Sequence, residues 1–516
     1  MTWKPEIEEI GRRQEEVKQM GGPDGIARQR SRGKLLVRER IDILLDDDSF
    51  EEIGKIAGTA EYDETGKRKM FEPDVSVIGF GKVSDRLVSV WGQDYSVHGG
   101  ANSSRMAGKT NYMAKVAVNY RVPMIRLLDS GGTRVGTLDP GGRTFLPGGS
   151  GGGALTLMSQ VPVVSAVLGT CAGWVAIAGV QAHWSVMTKN TSELFVGGPP
   201  LVERALGYKI TRQELGNHEI HAYNGVVDNV AEDEEDAFCQ IRRFLSYLPR
   251  SVWHQPPRIE PDDDPNRREE ELLSIIPREP TKTFDIRKLI NLVVDRNSTF
   301  EMTPFYGRSL VTMLARMDGY PVALMSNDSR WDGGAQTADA CEKMTRFIEF
   351  ADTFHLPIIY LVDVPGFMIG LESEKQGALR KAARTAQARD QSTVPWFSVL
   401  VRRCYGVAGT LHAHVNYQPI RFAWPSGQWG SLPVAGGALA AFRKEIEAAP
   451  DPDAKRTEIE RILTEVNSPF RTAEVFEVEE MIDPRDTRPL LCRLVQRAQE
   501  ITATQLGPKA RFGPRP

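Results

Sequence analysis

Much of this chain is written twice. VPMIRLLDSGG at 122–132 returns as LPIIYLVDVPG at 356–366, HGGA at 98–101 as DGGA at 332–335, and GKVSDRLVSVWGQD at 81–94 as ARMDGYPVALMSND at 315–328, each displaced by 234 residues. Further on, VPVVSAVLGTCAG at 161–173 pairs with VPWFSVLVRRCYG at 394–406 at a displacement of 233. A constant offset held over about 90 residues points to an ancestral duplication, so whatever one half folds into, the other folds into as well. The 516 residues are too many for one ordinary core of roughly 100–200 residues. The break falls at 255–283, QPPRIEPDDDPNRREEELLSIIPREPTKT, where prolines and charges accumulate and little can be buried. The expected organisation is a first domain over 1–255, a linker over 256–283 and a second domain over 284–516.

Within each copy, runs such as LVSVWGQD, MIRLLDSGG and VVSAVLG are apolar, of strand length, and bounded by Gly or Asp, which is the pattern of strands buried on both faces. Helical patterns lie between them, MAGKTNYMAKVAVNY at 106–120 and CEKMTRFIEFADTF at 341–354. This alternation predicts α/β domains whose helices cover a sheet, with ligand loops where strands run out into glycines. The opening segment predicts an amphipathic helix carrying Ile7, Ile10, Val17 and Met20, and it lacks the apolar core of a secretory signal. Residues 144–188 contain no Asp, Glu, Lys or Arg, yet Pro147, Pro162, a glycine cluster, Gln160, Gln181 and His183 favour a buried strand, loop and helix over a membrane span.

Charge and ligand chemistry narrow the function. Lys plus Arg (64) nearly balances Asp plus Glu (68), so a net charge of −4 offers no footprint for nucleic acid or an anionic membrane. The five cysteines, at 171, 239, 341, 404 and 492, are scattered and include no Cys-x-x-Cys pair, which argues against disulfides and zinc ribbons and for a cytoplasmic setting. Eight histidines without a His-x-x-x-His or His-Glu-x-x-His spacing leave a metal hydrolase without ligands, and His412 and His414 share a face only on a strand. No metal is expected. A Gly-x-x-x-x-Gly-Lys-[Ser/Thr] phosphate loop is absent too, so this chain is not expected to consume ATP.

Two loops at equivalent points of the halves carry the candidate chemistry: GTCAGWVA at 169–176 and CYGVAG at 404–409. Each is a small-residue turn between a strand and an expected helix, where free backbone N–H groups and the helix dipole attract an anion. Two pre-aimed N–H pairs make two oxyanion holes. Small residues also suit close helix–strand packing, and it is their retention in both copies that favours function. GGSGG at 148–152 matches Gly-x-Ser-x-Gly but lacks a proper strand before it, so Ser150 is discounted as a nucleophile. Cys171 has the strand, yet a buried thiol is more often an inert small hydrophobe.

Several stretches resemble a known family. ARQRSRGKLLVRERIDILLDDDSFEEIG (27–54), LLDSGGTR (127–134), FVGGPPLVERALGYKITRQELG (195–216), DEEDAFCQIRRFLSYLP (233–249), LVDVPGF (361–367) and EVFEVEEMIDPRDTRP (474–489) are similar to the carboxyltransferase (beta) subunits of biotin-dependent acyl-CoA carboxylases. The resemblance covers nearly the whole chain. It implies an α/β fold of two duplicated crotonase-like domains, a homohexamer, acyl-CoA on the first domain and biotin on the second. It also implies transfer of CO2 from carboxybiotin to the α-carbon of an acyl-CoA through an enolate, with the biotin enolate removing the α-proton, so that two oxyanion holes replace acid–base side chains.

Carried across residue by residue, the resemblance puts the thioester hole at Gly173 and Trp174 and the biotin hole at Val407 and Ala408 beside Gly406. Gly131, Gly132, Arg134, Cys171, Ala172 and Thr410 would line the substrate, and Pro365, Gly366, Phe367 and Tyr405 the biotin. Relatives usually read Cys-Ala-Gly-Gly-Ala and Tyr-Gly-Gly-Ala where this chain has Cys-Ala-Gly-Trp-Val and Tyr-Gly-Val-Ala. A non-Gly residue tolerates positive φ poorly, so Trp174 and Val407 are expected to reshape a pocket or impair a hole. Thr410 stands where propionyl-CoA carboxylases carry Asp, and the 140–156 loop stands where relatives have a polar helix over the CoA site, a candidate mobile lid. No Ala-Met-Lys-Met biotinylation site is present, so biotin is expected on a separate biotin carboxylase and carrier (alpha) subunit. Two further readings remain: decarboxylation or transcarboxylation through the same holes, or a non-catalytic subunit paired with an active paralogue.

Overall fold

The computed structural model describes residues 2–101, 107–132, 154–279, 281–414 and 420–510. They form two compact units, Met1–His254 and Gln255–Pro516. Each unit is built on a mixed sheet of eight strands. In the first the order is Glu51–Ile53, Ser76–Val83, Arg86–Gln93, Met124–Ser130, Val163–Ala172, Trp184–Thr188 and Asn229–Ala231, with Glu193–Phe195 beside the far end of Val163–Ala172. In the second it is Phe300–Met302, Leu310–Met317, Tyr320–Asn327, Ile358–Val364, Trp396–Tyr405, Ile420–Ala423 and Glu480–Met481, with Gln428–Gly430 in the equivalent side position. Antiparallel pairs open each sheet and parallel pairs follow, and the register slips at the same place in both, between Leu128 and Ser130 and between Val362 and Val364.

The duplication extends to backbone angles. Ser84 and Asp318 both turn at φ 50°, His98 and Asp332 at φ 49°, and Arg121 and His355 at φ 53° and 60°. The hairpin turns at Ser84–Asp85 and Asp318–Gly319 are each held by one carboxylate, Asp46 receiving the first pair of N–H groups at 2.9 and 2.7 Å and Asp295 the second at 3.0 and 2.7 Å. Positive φ at both central residues matches the right-handed twist of the flanking strands.

The central strands are buried on both faces: Val163, Val164, Val167, Ile358, Ile359 and Leu361 expose nothing. Helices Ala107–Tyr120 and Ala338–Thr353 occupy the two expected helical stretches. The described part of the charge-free segment is helix Ala154–Gln160, strand Val163–Ala172, helix Trp174–Val180 and strand Trp184–Thr188, and no helix among the described residues is long and apolar enough to cross a membrane.

Two expectations need correction. The opening helix is Lys4–Val17 and buries only Val17; Ile7 and Ile10 are exposed, and Met20 lies beyond it at φ 49°. The stretch 256–283 belongs to the second unit and is not a spacer. Leu272 is buried in that unit's core, and Arg267 forks onto Asp263 at 2.9 and 3.0 Å while reaching the carbonyls of Leu292 and Val294. Its charges pair partly within the segment and partly with the rest of the unit, Arg268 reaching Asp483 and Asp486 and Asp263 receiving Arg488, which composition alone does not reveal.

Candidate active site

At the end of strand Val163–Ala172 the chain reverses at Gly173, with φ 61°, and enters helix Trp174–Val180. At the end of strand Trp396–Tyr405 it does the same at Gly406, with φ 62°, before the short helix Gly406–Gly409. Left-handed backbone is thus required at these two glycines. Trp174 and Val407 are not among the positive-φ residues, so the expected strain at the two substituted positions is absent. Their side chains point outward, Trp174 41% and Val407 72% exposed.

The N–H groups differ in availability. That of Gly173, expected to donate to a thioester, is directed at the carbonyls of Phe195 and Val196 at 3.3 and 3.2 Å. In this structure that N–H is engaged within the turn. The N–H groups of Trp174, Val407 and Ala408 make no hydrogen bond among the described residues, and they are the donors each turn presents.

Glycine turns close in beside both loops. In the first unit the Gly131 N–H donates to Gly99 O at 2.9 Å, Ser130 Oγ to Gly100 O at 2.6 Å, and the Gly132 N–H to Ser130 Oγ at 3.2 Å. Gly132 is buried, with φ 97°. A Cβ on Gly100 would lie 2.3 Å from Asp129 O, so no side chain fits there. In the second unit the Gln336 N–H donates to Gly366 O at 2.9 Å, and Gln336 bridges Phe367, which fastens Pro365–Phe367 to the DGGA turn. These three residues are half-buried, whereas Tyr405 is only 3% exposed and packs inward.

Under each loop lies a fully buried carboxylate. Asp129 receives Gln29 at 2.9 Å, Lys34 at 3.4 Å and Arg40 at 3.1 Å, and Arg40 also pairs with Glu234 at 2.6 Å. Asp363 receives two forks, Arg402 at 3.0 and 2.7 Å and Arg403 at 2.7 and 3.0 Å. These cations were not singled out from sequence, although both aspartates stood in the repeated motif.

The remaining candidates are settled by burial. Burial, with the Asp129 carboxylate close by, pushes the Cys171 thiol far above its ordinary range, and burial pushes Cys404 up to about 12, so neither is a thiolate nucleophile. Ala172 is half-buried and Gly131 exposed. The Thr410 hydroxyl donates back to Val407 O at 2.7 Å and so caps its own turn. His412 and His414 contact the carbonyls of Gly409 and Ser392, and no metal-binding group occurs among the described residues. Arg134, Ser150 and nearly all of the 140–156 loop lie outside the described residues.

Comparison with known proteins places this arrangement. A carboxyltransferase subunit of propionyl-CoA carboxylase from Haloferax mediterranei is 34% identical over 495 residues, 95% of each chain. The methylmalonyl-CoA carboxyltransferase 12S subunit of Propionibacterium freudenreichii is 32% identical over 98% of this chain and 95% of that one. The crystal structure of a transcarboxylase 12S hexamer with methylmalonyl-coenzyme A bound superposes with a TM-score of 0.89 at 30% identity, covering 100% of this chain and 99% of the other. The fold and paired loops therefore define an enzyme of the duplicated crotonase-like class that transfers carboxyl groups. The carboxyl transferase domain matches residues 28–510, and the chain belongs to that family, with the role of a carboxyltransferase subunit of a biotin-dependent acyl-CoA carboxylase.

Proposed function

We propose that the first unit binds the acyl-CoA and the second the biotin, with Trp174 N–H facing the thioester oxygen and the N–H groups of Val407 and Ala408 facing the ureido oxygen. The observation that carries this reading is the three unspent donors behind Gly173 and Gly406, two turns of matching φ in equivalent positions. Both reactants develop an oxyanion in carboxyl transfer, and preorganised N–H donors at such a position contribute on the order of 10²–10³ in rate. The free Val407 and Ala408 donors fit a neutral ureido group that becomes anionic. Carboxybiotin, when bound, supplies CO2 and the base.

This chain's residues bind and orient. The glycine turns at 98–100 and 332–334 leave room for reactants at the strand ends. Trp174, with Ile177 one turn on (43% exposed), would form an apolar wall beside the first donor and favour a bulky acyl group. Biotin would arrive on an alpha subunit, and the chain would assemble as a homohexamer. The test is carboxyl transfer from a carboxylated acyl-CoA to free biotin, followed as loss of the carboxylated thioester. Biotin-dependent turnover is expected; turnover indifferent to biotin, or none with short, branched and aryl thioesters, overturns the reading.

A further inference from the structure

The two halves hold their glycine turns by different means. In the first, the carbonyl of Gly99 accepts the Gly131 N–H at 2.9 Å. The equivalents are Gly333 and Pro365, and a proline has no N–H to give. Gly333 O is instead met by a guanidinium, Arg403 Nη2 at 2.7 Å. Arg403 simultaneously forks onto Asp363 and donates its own backbone N–H to Asp363 Oδ1 at 3.2 Å. It lies three residues before Gly406, on the strand that delivers the second N–H loop.

We propose that Arg403 is a positioning residue for the second N–H loop, a strap that replaces the backbone hydrogen bond removed by Pro365 and locks the DGG turn, the Asp363 strand end and the Val407–Ala408 donors into one rigid unit. Its neighbour Arg402 shows what a purely structural partner of the same carboxylate looks like. Arg402 is 4% exposed, sends its free end to Lys282 O at 2.8 Å and lies 4.7 Å from the Phe284 ring centroid, away from the loops. Arg403 is 17% exposed and reaches the turn. In the first unit the position equivalent to Arg403 is Thr170, whose hydroxyl donates to Glu193 at 2.7 Å, and no strap is needed there because Gly131 supplies the N–H. A planar fork with five donors can serve a carboxylate and a carbonyl together, which an ammonium does less well.

The inference rests on the carboxyltransferase reading only for its kinetic arm. For Arg403→Gln the expected result is a 10–100-fold fall in biotin-dependent kcat/KM, with acyl-CoA affinity by calorimetry within twofold of the parent. Arg403→Lys should fall between the two. Adding Pro365→Gly to Arg403→Gln restores an N–H donor and should recover at least part of the loss. Arg402→Gln should lower the melting temperature without changing the KM for biotin. Independently of activity, hydrogen exchange by mass spectrometry should accelerate in peptides covering 332–336 and 404–409 of Arg403→Gln, and not in 98–101. If the wild type transfers no carboxyl group to biotin, the functional reading fails, and the exchange arm still judges the strap. Unchanged exchange at both segments, biotin kinetics within twofold, or an Arg402→Gln variant as impaired toward biotin as Arg403→Gln would overturn it. Should Arg403→Gln fail to fold, Arg403→Lys and Pro365→Gly alone carry the same comparison, the latter being expected to slow exchange at 332–336.

Discussion

At the scale of single residues, the two turn glycines offer a matched comparison. A Cβ on Gly173 meets nothing within 4 Å, so Gly173→Ala carries only the backbone cost of φ 61° and ψ −129°, a conformation L-residues rarely adopt, about 1–3 kcal/mol. A Cβ on Gly406 would lie 3.2 Å from Ser431 O, so Gly406→Ala should be the more destabilising of the pair in urea titration, and both should lose carboxyl transfer. His412 sets a different limit. Burial pulls its imidazole down to about 4 from an ordinary 6.5, so the folded state holds it neutral where the unfolded state takes up a proton. The penalty is absent above pH 6.5, grows as the pH falls towards 4 and is constant below; it amounts to at most about 3 kcal/mol. His412→Gln should therefore flatten the fall in urea midpoint between pH 7 and pH 4.5, and an unchanged slope would assign acid sensitivity elsewhere. Sequence gave no sign of this burial. His412 and His414 would share a face only on a strand; 410–412 is a helical turn, and each imidazole seeks a separate carbonyl.

At the scale of elements, helix Trp174–Val180 is held from behind. Arg126 donates to the carbonyls of Ala178 at 2.7 Å and Gln181 at 2.8 Å, and burial pulls its guanidinium down to about 10. A cation at a helix C-terminus favours the dipole that draws an anion to the N-terminus, the end bearing Trp174. Arg126→Met would strand two carbonyls and should cost about 1–3 kcal/mol in denaturant, with faster hydrogen exchange across 174–181. The strands and the helices at 107–120 and 338–353 were legible because their apolar runs and helical spacing reflect burial directly. Also legible were the paired N–H loops, since a small-residue turn after a strand is a local signal. Availability was not: that Gly173 spends its N–H on Phe195 and Val196 depends on a strand more than twenty residues away. Nor was the conformation of Trp174 and Val407, because the left-handed demand falls on the preceding glycine in each loop.

At the scale of the whole molecule, the repeat offset announced two copies of one architecture, and the sheets agree down to the register slip. Composition misjudged the join, because charges that pair within the segment or with the rest of the second unit look the same in sequence as charges that face water. The proposed hexamer predicts a native mass of six chains by light scattering; a monomer at micromolar concentration would contradict it. Side chains such as Val196 and Ile369, 90% and 86% exposed, are natural candidates for burial on assembly.

The cations under the loops add one more consequence. Asp129 takes its partners from residues 34 and 40, far upstream, and Gly169 leaves a space for its carboxylate: a Cβ there would lie 1.9 Å from Oδ1. Asp363 takes its partners from 402 and 403, and 402 is the counterpart of that glycine. Neither strand can be exchanged for its twin. Grafting 163–172 into the second half would leave a buried anion with no counter-ion, and the reverse graft would drive an arginine into an occupied carboxylate. Cut from one pattern and still of the same hand and topology, the halves are no longer interchangeable parts.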